Sequence, residues 1–187
     1  MSTAITVDDS GLREKLALLA SKVKNMTSVF EDIGDIVVAS VRENFQAQGR
    51  FLVPGSWFGG SNKWQALKAA TVASRKAEGH WGDGARILTR SGRLSKSITP
   101  RASATDVVVG TNVKYAAIHN FGGTTKPHDI VAKHKKALAW PGGNNPVKKV
   151  HHPGSTIPAR PFLVVQDSDL KRMAQVIHDH ITEKLNG

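Results

Sequence analysis

The run Lys114-Tyr115-Ala116-Ala117-Ile118-His119-Asn120-Phe121-Gly122-Gly123 constrains the fold more than any other stretch of the chain. It follows a predicted strand, Asp106-Val107-Val108-Val109-Gly110, and reads as a short helix. Tyr115, Ile118 and Phe121 recur about once per turn along one side, which predicts that all three are mostly buried. Ala116 and Ala117 are small enough for another backbone to come close. Gly122 and Gly123 end the helix, because glycine takes the left-handed conformation readily. Tyr115 is the only tyrosine, and a half-buried tyrosine calls for a hydrogen-bond partner. A short helix pinned onto a sheet and followed by a glycine exit is a structural hub, with nothing overtly catalytic in it.

The segments around the hub suggest what it is pinned to. Asp8, Asp9 and Ser10 supply N-cap groups for a helix whose Leu12, Leu16, Leu19 and Val23 fall at helical spacing. After a break near Asn25, Ser28 and Glu31 have capping-box spacing. Met26, Phe30, Ile33, Val37, Val41 and Phe45 then form a longer stripe. Residues 1–47 thus read as a helical pair whose stripes pack on each other, on the sheet or on a neighbouring subunit; periodicity does not choose. Residues 48–86 read as a loop and a basic helix. Trp57 and Phe58 stand in a Gly/Pro-rich loop, either capping the core or contacting another chain, and Trp64, Leu67 and Thr71 begin the basic helix.

Residues 87–165 read as a β-rich core. In it Leu88 and Leu94 point inward from a short turn, and residues 95–102 and 106–111 pair as a hairpin across Ser103-Ala104-Thr105. Three short strands are expected at 128–132, 136–140 and 147–150. Residues 166–187 form a last helix, capped by Asp167 or Ser168, with Leu170, Met173, Ile177, Ile181 and Leu185 as its stripe. The fold class is α+β: a small, mostly antiparallel sheet, an N-terminal helical pair, a short central helix and a C-terminal helix, in a single domain over 1–187.

Charge is distributed unevenly. Residues 50–160 carry 18 basic and 4 acidic side chains, whereas 1–49 and 161–187 have net charges of −2 and −1. A positive middle implies an acidic partner, either nucleic acid or a negatively charged protein surface. Lys126, Lys133, Lys135, Lys136, Lys148 and Lys149, with Trp140 among them, resemble the lysines and aromatic platform of single-strand binding, but no recognition motif accompanies them. Cysteine is absent, which fits a reducing compartment, and no apolar run is long enough to span a bilayer. A soluble intracellular protein is the expectation, with no membrane partner.

Catalytic chemistry finds little support. The eight histidines lack ligand spacing, and His178 and His180 fall on different helix faces. Asp106 and Asp129 are the only carboxylates between Asp83 and Asp167, so acid–base pairs are scarce. We therefore expect no enzyme, no metal and no cofactor, with His119 a hydrogen-bonded structural residue at the helix end. Arg160 is held extended by the proline after it. It either pairs with a carboxylate, across a subunit interface for example, or lies in a stiff linker that aims Phe162 and Leu163 into the core.

Three motifs carry a family resemblance: Ile87-Leu88-Thr89-Arg90-Ser91-Gly92-Arg93-Leu94, the run from Val113 to Gly123, and Ile157-Pro158-Ala159-Arg160-Pro161-Phe162-Leu163. In this order and with these flanking helices, the chain resembles the virion-morphogenesis or tail-completion family of tailed bacteriophages, known from Mu-type G and tail-completion S proteins. Trp64-Gln65-Ala66-Leu67 fits the family's tryptophan–leucine–threonine pattern. The resemblance implies a structural protein of tail completion or head–tail joining, similar to ring-forming neck and tail-terminator components, and points to sixfold symmetry. Its partners are then further copies of itself, the tail tube and the head–neck proteins, with the basic middle facing an acidic protein ring or passing DNA. Tyr115, Ile118, His119, Phe121, Gly122, Arg160 and Phe162 would form the hub or interface, and Trp57 and Phe58 a subunit contact. Lys133, Lys135, Lys136, Lys148 and Lys149 would meet the acidic partner or DNA.

Overall fold

The computed structural model describes residues 10–50, 63–82, 84–132, 137–138 and 146–183. Trp57, Phe58, Lys133, Lys135, Lys136 and Trp140 lie outside the described residues. The fold is α+β. Its helices are α1 (Ser10–Lys22), α2 (Thr27–Ala47), α3 (Ala69–Ala77), α4 (Arg93–Lys96), α5 (Ala116–Phe121) and α6 (Asp167–Glu183). The strands are β1 (Thr99–Ala102), β2 (Val107–Gly110), β3 (Gly123–Thr124), β4 (His128–Val131), β5 (Lys149–His152) and β6 (Thr156–Ile157). They pair antiparallel as β1–β2, β3–β6 and β4–β5. The chain forms two compact units, one from Met1–Ser40, Ile98–Gly110 and Val165–Gly187, the other from Val41–Ser97 and Thr111–Val164.

In the first unit, Met26, Val29 and Ile33 of the α2 region form a buried cluster with Phe30, Val107, Met173, Val176 and Ile177 packed against it. The β1–β2 hairpin has the expected partners, with Ala102 opposite Val107. Ser103 Oγ closes its turn by accepting the N–H groups of Thr105 and Asp106 at 3.2 and 3.1 Å. Close approach of α2 to this hairpin depends on Gly34, where a Cβ would lie 2.7 Å from Cβ of Pro100. Helix α2 starts differently from the expected capping box: Asn25 Oδ1 accepts the Thr27 N–H at 3.1 Å and the Thr27 hydroxyl at 2.6 Å. An asparagine in the break reaches the first free N–H before Ser28 does.

Helix α6 also departs from its expected cap. Asp169 Oδ2 reaches back to the Gln166 N–H at 2.9 Å, and the Ser40 hydroxyl donates to the same oxygen. Asp169 is buried, so the carboxylate both closes the helix end and is itself solvated by protein donors. Met173 and Ile177 face the core as expected, whereas Leu170 is exposed. Helix α1 forms where its apolar spacing predicts, but Leu16 and Leu18 along it, and Val23 just after it, stay exposed.

The second unit has an aromatic centre. Phe45 packs on Phe162 at 5.1 Å between ring centroids and edge-on to Trp64 at 5.6 Å, and Phe162 has no exposed surface. Leu94 and Ile87 are buried beside a half-buried Leu88. Trp64 precedes the basic helix instead of starting it: α3 begins at Ala69, because Trp64 is held as a buried anchor in extended chain. The strands at 128–131 and 149–152 pair directly, and Leu138 and Val147 meet only as an isolated bridge. The β3–β6 pair comes as an addition to the expected strands; two residues a side are too few to show a period.

The expected burial of the hub stripe is corrected. Phe121 is 77% exposed and Tyr115 42%, with Ile118 half-buried. Tyr115 precedes the first turn of α5, and the inward face is Ala116 and Asn120, one turn apart. Phe162→Ala should therefore lower stability by about 3–5 kcal/mol, and Phe121→Ala by no more than about 0.5 kcal/mol. Urea unfolding followed by circular dichroism measures both, and similar losses from the two changes would show that the assigned faces are wrong.

Candidate functional site

The hub is built around a strap, residues 160–164, whose backbone pairs with no strand among the described residues. Buried peptide groups need partners, and here side chains provide them. Asn120 Oδ1, on the inner face of α5, accepts the N–H groups of Phe162 and Leu163 at 3.0 and 3.1 Å. Asn44 Nδ2, fully buried in α2, donates to the carbonyls of Phe162 and Val164 at 2.9 and 3.3 Å. Trp64 Nε1 donates to the Pro161 carbonyl at 2.9 Å. The Arg160 N–H donates to the carbonyl of His119 at 2.8 Å. Arg50 Nε donates to Asn44 Oδ1 at 2.7 Å, fixing which way that amide points. Ahead of the strap, Gly122 has φ 74°, and a Cβ there would meet the Ala159 nitrogen at 2.8 Å and the Ile157 carbonyl oxygen at 3.1 Å. Only glycine lets α5 end this close to the strap.

Arg160 does not meet a carboxylate. Its Nε and Nη2 both donate to the Gln65 carbonyl, at 3.1 and 3.0 Å, and the residue is buried. The stiff-linker reading holds for Phe162 and fails for Leu163, which is exposed. His119 is corrected as well: its carbonyl is hydrogen-bonded, but its ring Nδ1 is buried with no partner. Burial, then the nearby Arg160 and Arg75, disfavour the imidazolium and hold the His119 pKa below its ordinary value of 6.5.

Tyr115 and His119, edge-to-face at 5.8 Å, line a cavity of about 480 Å³ together with Arg75, His80, Leu88, Arg90, Ser91 and Leu94. Arg42, Arg86 and Lys96 border a smaller one of about 340 Å³. Of the lysines assigned to an acidic partner, Lys148 and Lys149 are exposed, and Lys149 Nζ pairs with Asp129 at 2.6 Å. His151 Nδ1 lies 2.9 Å from the same carboxylate, and the two contacts, the lysine's first, hold the Asp129 pKa below the usual carboxylate range. His128 and His152 stack across the strands at 5.1 Å. Among the described residues there is no group of three or more His, Asp or Glu side chains placed to hold a metal ion. Also among them, no helix is long and apolar enough to cross a membrane.

The parts that sequence reasoning missed are Asn44, Asn120 and the Trp64 indole. The available signal was a polar residue on an apolar helix face: Asn44 stands between Val41 and Phe45. A polar side chain kept on a buried face needs a partner, and a strap without a strand beside it supplies one.

The fold is α+β, and in its second unit the strap is laced to α2 and α5 by buried side chains. The phage virion morphogenesis family matches residues 7–182, and the chain belongs to that family. Its role is thus one of phage structure or assembly. No curated protein and no solved structure matches the chain.

Two outcomes follow. Asn120→Ala strips the acceptor from the buried Phe162 N–H and the part-buried Leu163 N–H and should cost about 1–3 kcal/mol, mainly from the first; a loss below about 0.5 kcal/mol on urea unfolding would show that the strap is held by packing alone. Because the folded-state pKa of His119 is depressed, the unfolded chain binds more protons in the window below 6.5. Stability should be level above that pH and fall as pH drops through the window, and His119→Gln should flatten part of the fall. Urea midpoints measured from about pH 7.5 to about pH 5.5 check the sign.

Proposed function

We propose that the chain is a structural component of tail completion or head–tail joining, and that it works as a closed ring of its own copies, a hexamer on the family resemblance. It sits at the neck or tail end of the virion after assembly in the host cytoplasm, touching the tail tube and the head–neck proteins. Its chemistry is association and not catalysis. The observation that carries this reading is uncovered apolar surface: Leu16, Leu18 and Val23 are 55%, 44% and 50% exposed, and Phe121 is 77% exposed. Leu16 and Val23 are seven residues apart, so a helical continuation puts them on one face. Covering one such side chain contributes about 1.5–3 kcal/mol, enough for a few of them to hold a subunit contact. A ring closes when one patch meets a different patch through a rotation that closes, and α1 and the end of α5 are two different patches. Trp57 and Phe58 belong to the same proposal as further contact residues.

The second reading, a basic nucleic-acid-binding protein without catalytic activity, is favoured by one observation. Lys126 and Lys148 are exposed beside the β4–β5 pair, in the most basic part of the chain. On the assembly reading, DNA contact is weak and independent of sequence. Tight DNA binding with a steep dependence on salt would favour the second reading.

Leu16→Asp with Val23→Asp should leave the helical content unchanged and shift the mass in solution, or on purified tails, from ring to monomer. Sedimentation and negative-stain images read the result. If phage lacking this protein still made tails of normal length that joined to heads, tail completion would be excluded as its role.

A further inference from the structure

The cavity beside the hub has a chemical character of its own. Arg75, from the last turn of α3, is held over the Trp81 ring at 5.6 Å, and its Nη1 is buried without a hydrogen-bond partner. Arg90 enters from the loop before α4 and pairs with Glu78. His119 presents the second buried, unpartnered nitrogen, Nδ1, and His80 lies on the wall. Burial first, and then the charge of Arg90, lower the proton affinity of Arg75, with Glu78 as the opposing acid, and burial followed by Arg75 lowers that of Arg160. Buried donors and concentrated positive charge are costly unless an anion meets them. Ser91 and the apolar Leu94, Leu88 and Tyr115 ring complete the wall, with Leu94 2% exposed and Leu88 half-buried.

We propose that this cavity receives a carboxylate side chain carried on an apolar stretch of a partner protein. The guanidinium groups of Arg75 and Arg90 would hold the carboxylate, and Leu88, Leu94 and the Tyr115 ring would take the apolar neighbours. A planar guanidinium fork matches a carboxylate in two parallel hydrogen bonds, which a lysine ammonium does not. The volume falls within the range of about 300–1,000 Å³ usual for binding sites, and such sites combine apolar walls with a few convergent polar groups. A nucleic-acid phosphate would use the arginines but leave the leucine wall empty. The site does not require ring closure, so it stands or falls separately from the assembly reading.

The test uses the full chain and two blocked pentapeptides, Ala-Leu-Glu-Leu-Ala and the same peptide with Gln in place of Glu, titrated by calorimetry. The Glu peptide should bind saturably and about tenfold tighter than the Gln peptide. Arg75→Gln with Arg90→Gln should abolish the difference at an unchanged melting temperature. Arg90→Gln alone, at an exposed position, should reduce it, and serves if the double variant does not fold. Lys126→Gln with Lys148→Gln should leave peptide binding unaltered. Equal binding of the two peptides, or none, would overturn the proposal. So would a short single-stranded oligonucleotide that outcompetes the Glu peptide and loses its affinity in the arginine variants, since the cavity would then be a phosphate site.

Discussion

The strap at 160–164 is the constraint on which the second unit depends. A buried, extended segment normally satisfies its peptide groups by lying beside a strand. This one has no strand partner among the described residues, and Phe162 within it has no exposed surface. Asn44 and Asn120 take the place of the missing strand: one amide donates to two carbonyls, the other accepts two N–H groups. An amide is suited to this because it carries both a donor and an acceptor on one short, rigid side chain. Each peptide group left unsatisfied would cost about 1–3 kcal/mol, comparable with a large part of a domain's net stability. The lacing therefore decides which helix faces turn inward, and apolar periodicity is subordinate to it.

That ordering explains what was legible in the sequence and what was not. The long helices were legible because α2 and α6 have to cover apolar cores, so their stripes carry the 3.6-residue period. The β1–β2 hairpin was legible from three consecutive valines and a polar turn. The direction of α5 was not. Tyr115, Ile118 and Phe121 form the better apolar stripe, yet Asn120 goes inside because two N–H groups of the strap await its oxygen. Arg160 was legible as extended, since a proline follows it, but its partner is the backbone carbonyl of Gln65, and no residue pattern encodes a backbone acceptor. The cavity residues Arg75, Arg90, Tyr115 and His119 come from separate segments, so no local motif announces them.

The same ordering separates rigidity from recognition. Side chains that lace the strap are buried and have their partners: Asn44, Asn120, Trp64 and Arg160. Side chains left over after that lacing are of two kinds. Some are apolar and exposed, as at Leu16, Val23 and Phe121. Others are cationic or polar with incomplete hydrogen bonding, as at Arg75 and His119. A chain selected only to fold would be expected to repair the first kind at little cost with surface polar residues, and the second kind persists although Glu78 stands near, paired with Arg90.

The distribution of charge points the same way. Between residues 50 and 160 there are 18 basic side chains against 4 acidic ones. Two of these four carboxylates are engaged locally: Glu78 with Arg90, Asp129 with Lys149. On the proposed assembly reading, long-range attraction from such a surface would guide an acidic partner toward it without orienting it, because screening erases detail beyond about 8–10 Å at physiological salt. On the proposed reading orientation comes from short-range features, and in the second unit the candidates are the arginine cavity, lined by Tyr115 just before α5, and the exposed ring of Phe121 at the end of that helix. A rigid α5, pinned at Asn120 and released at Gly122, holds those features at a fixed spacing. That fixed spacing is what an assembly contact needs if it is to recognise one partner in one register.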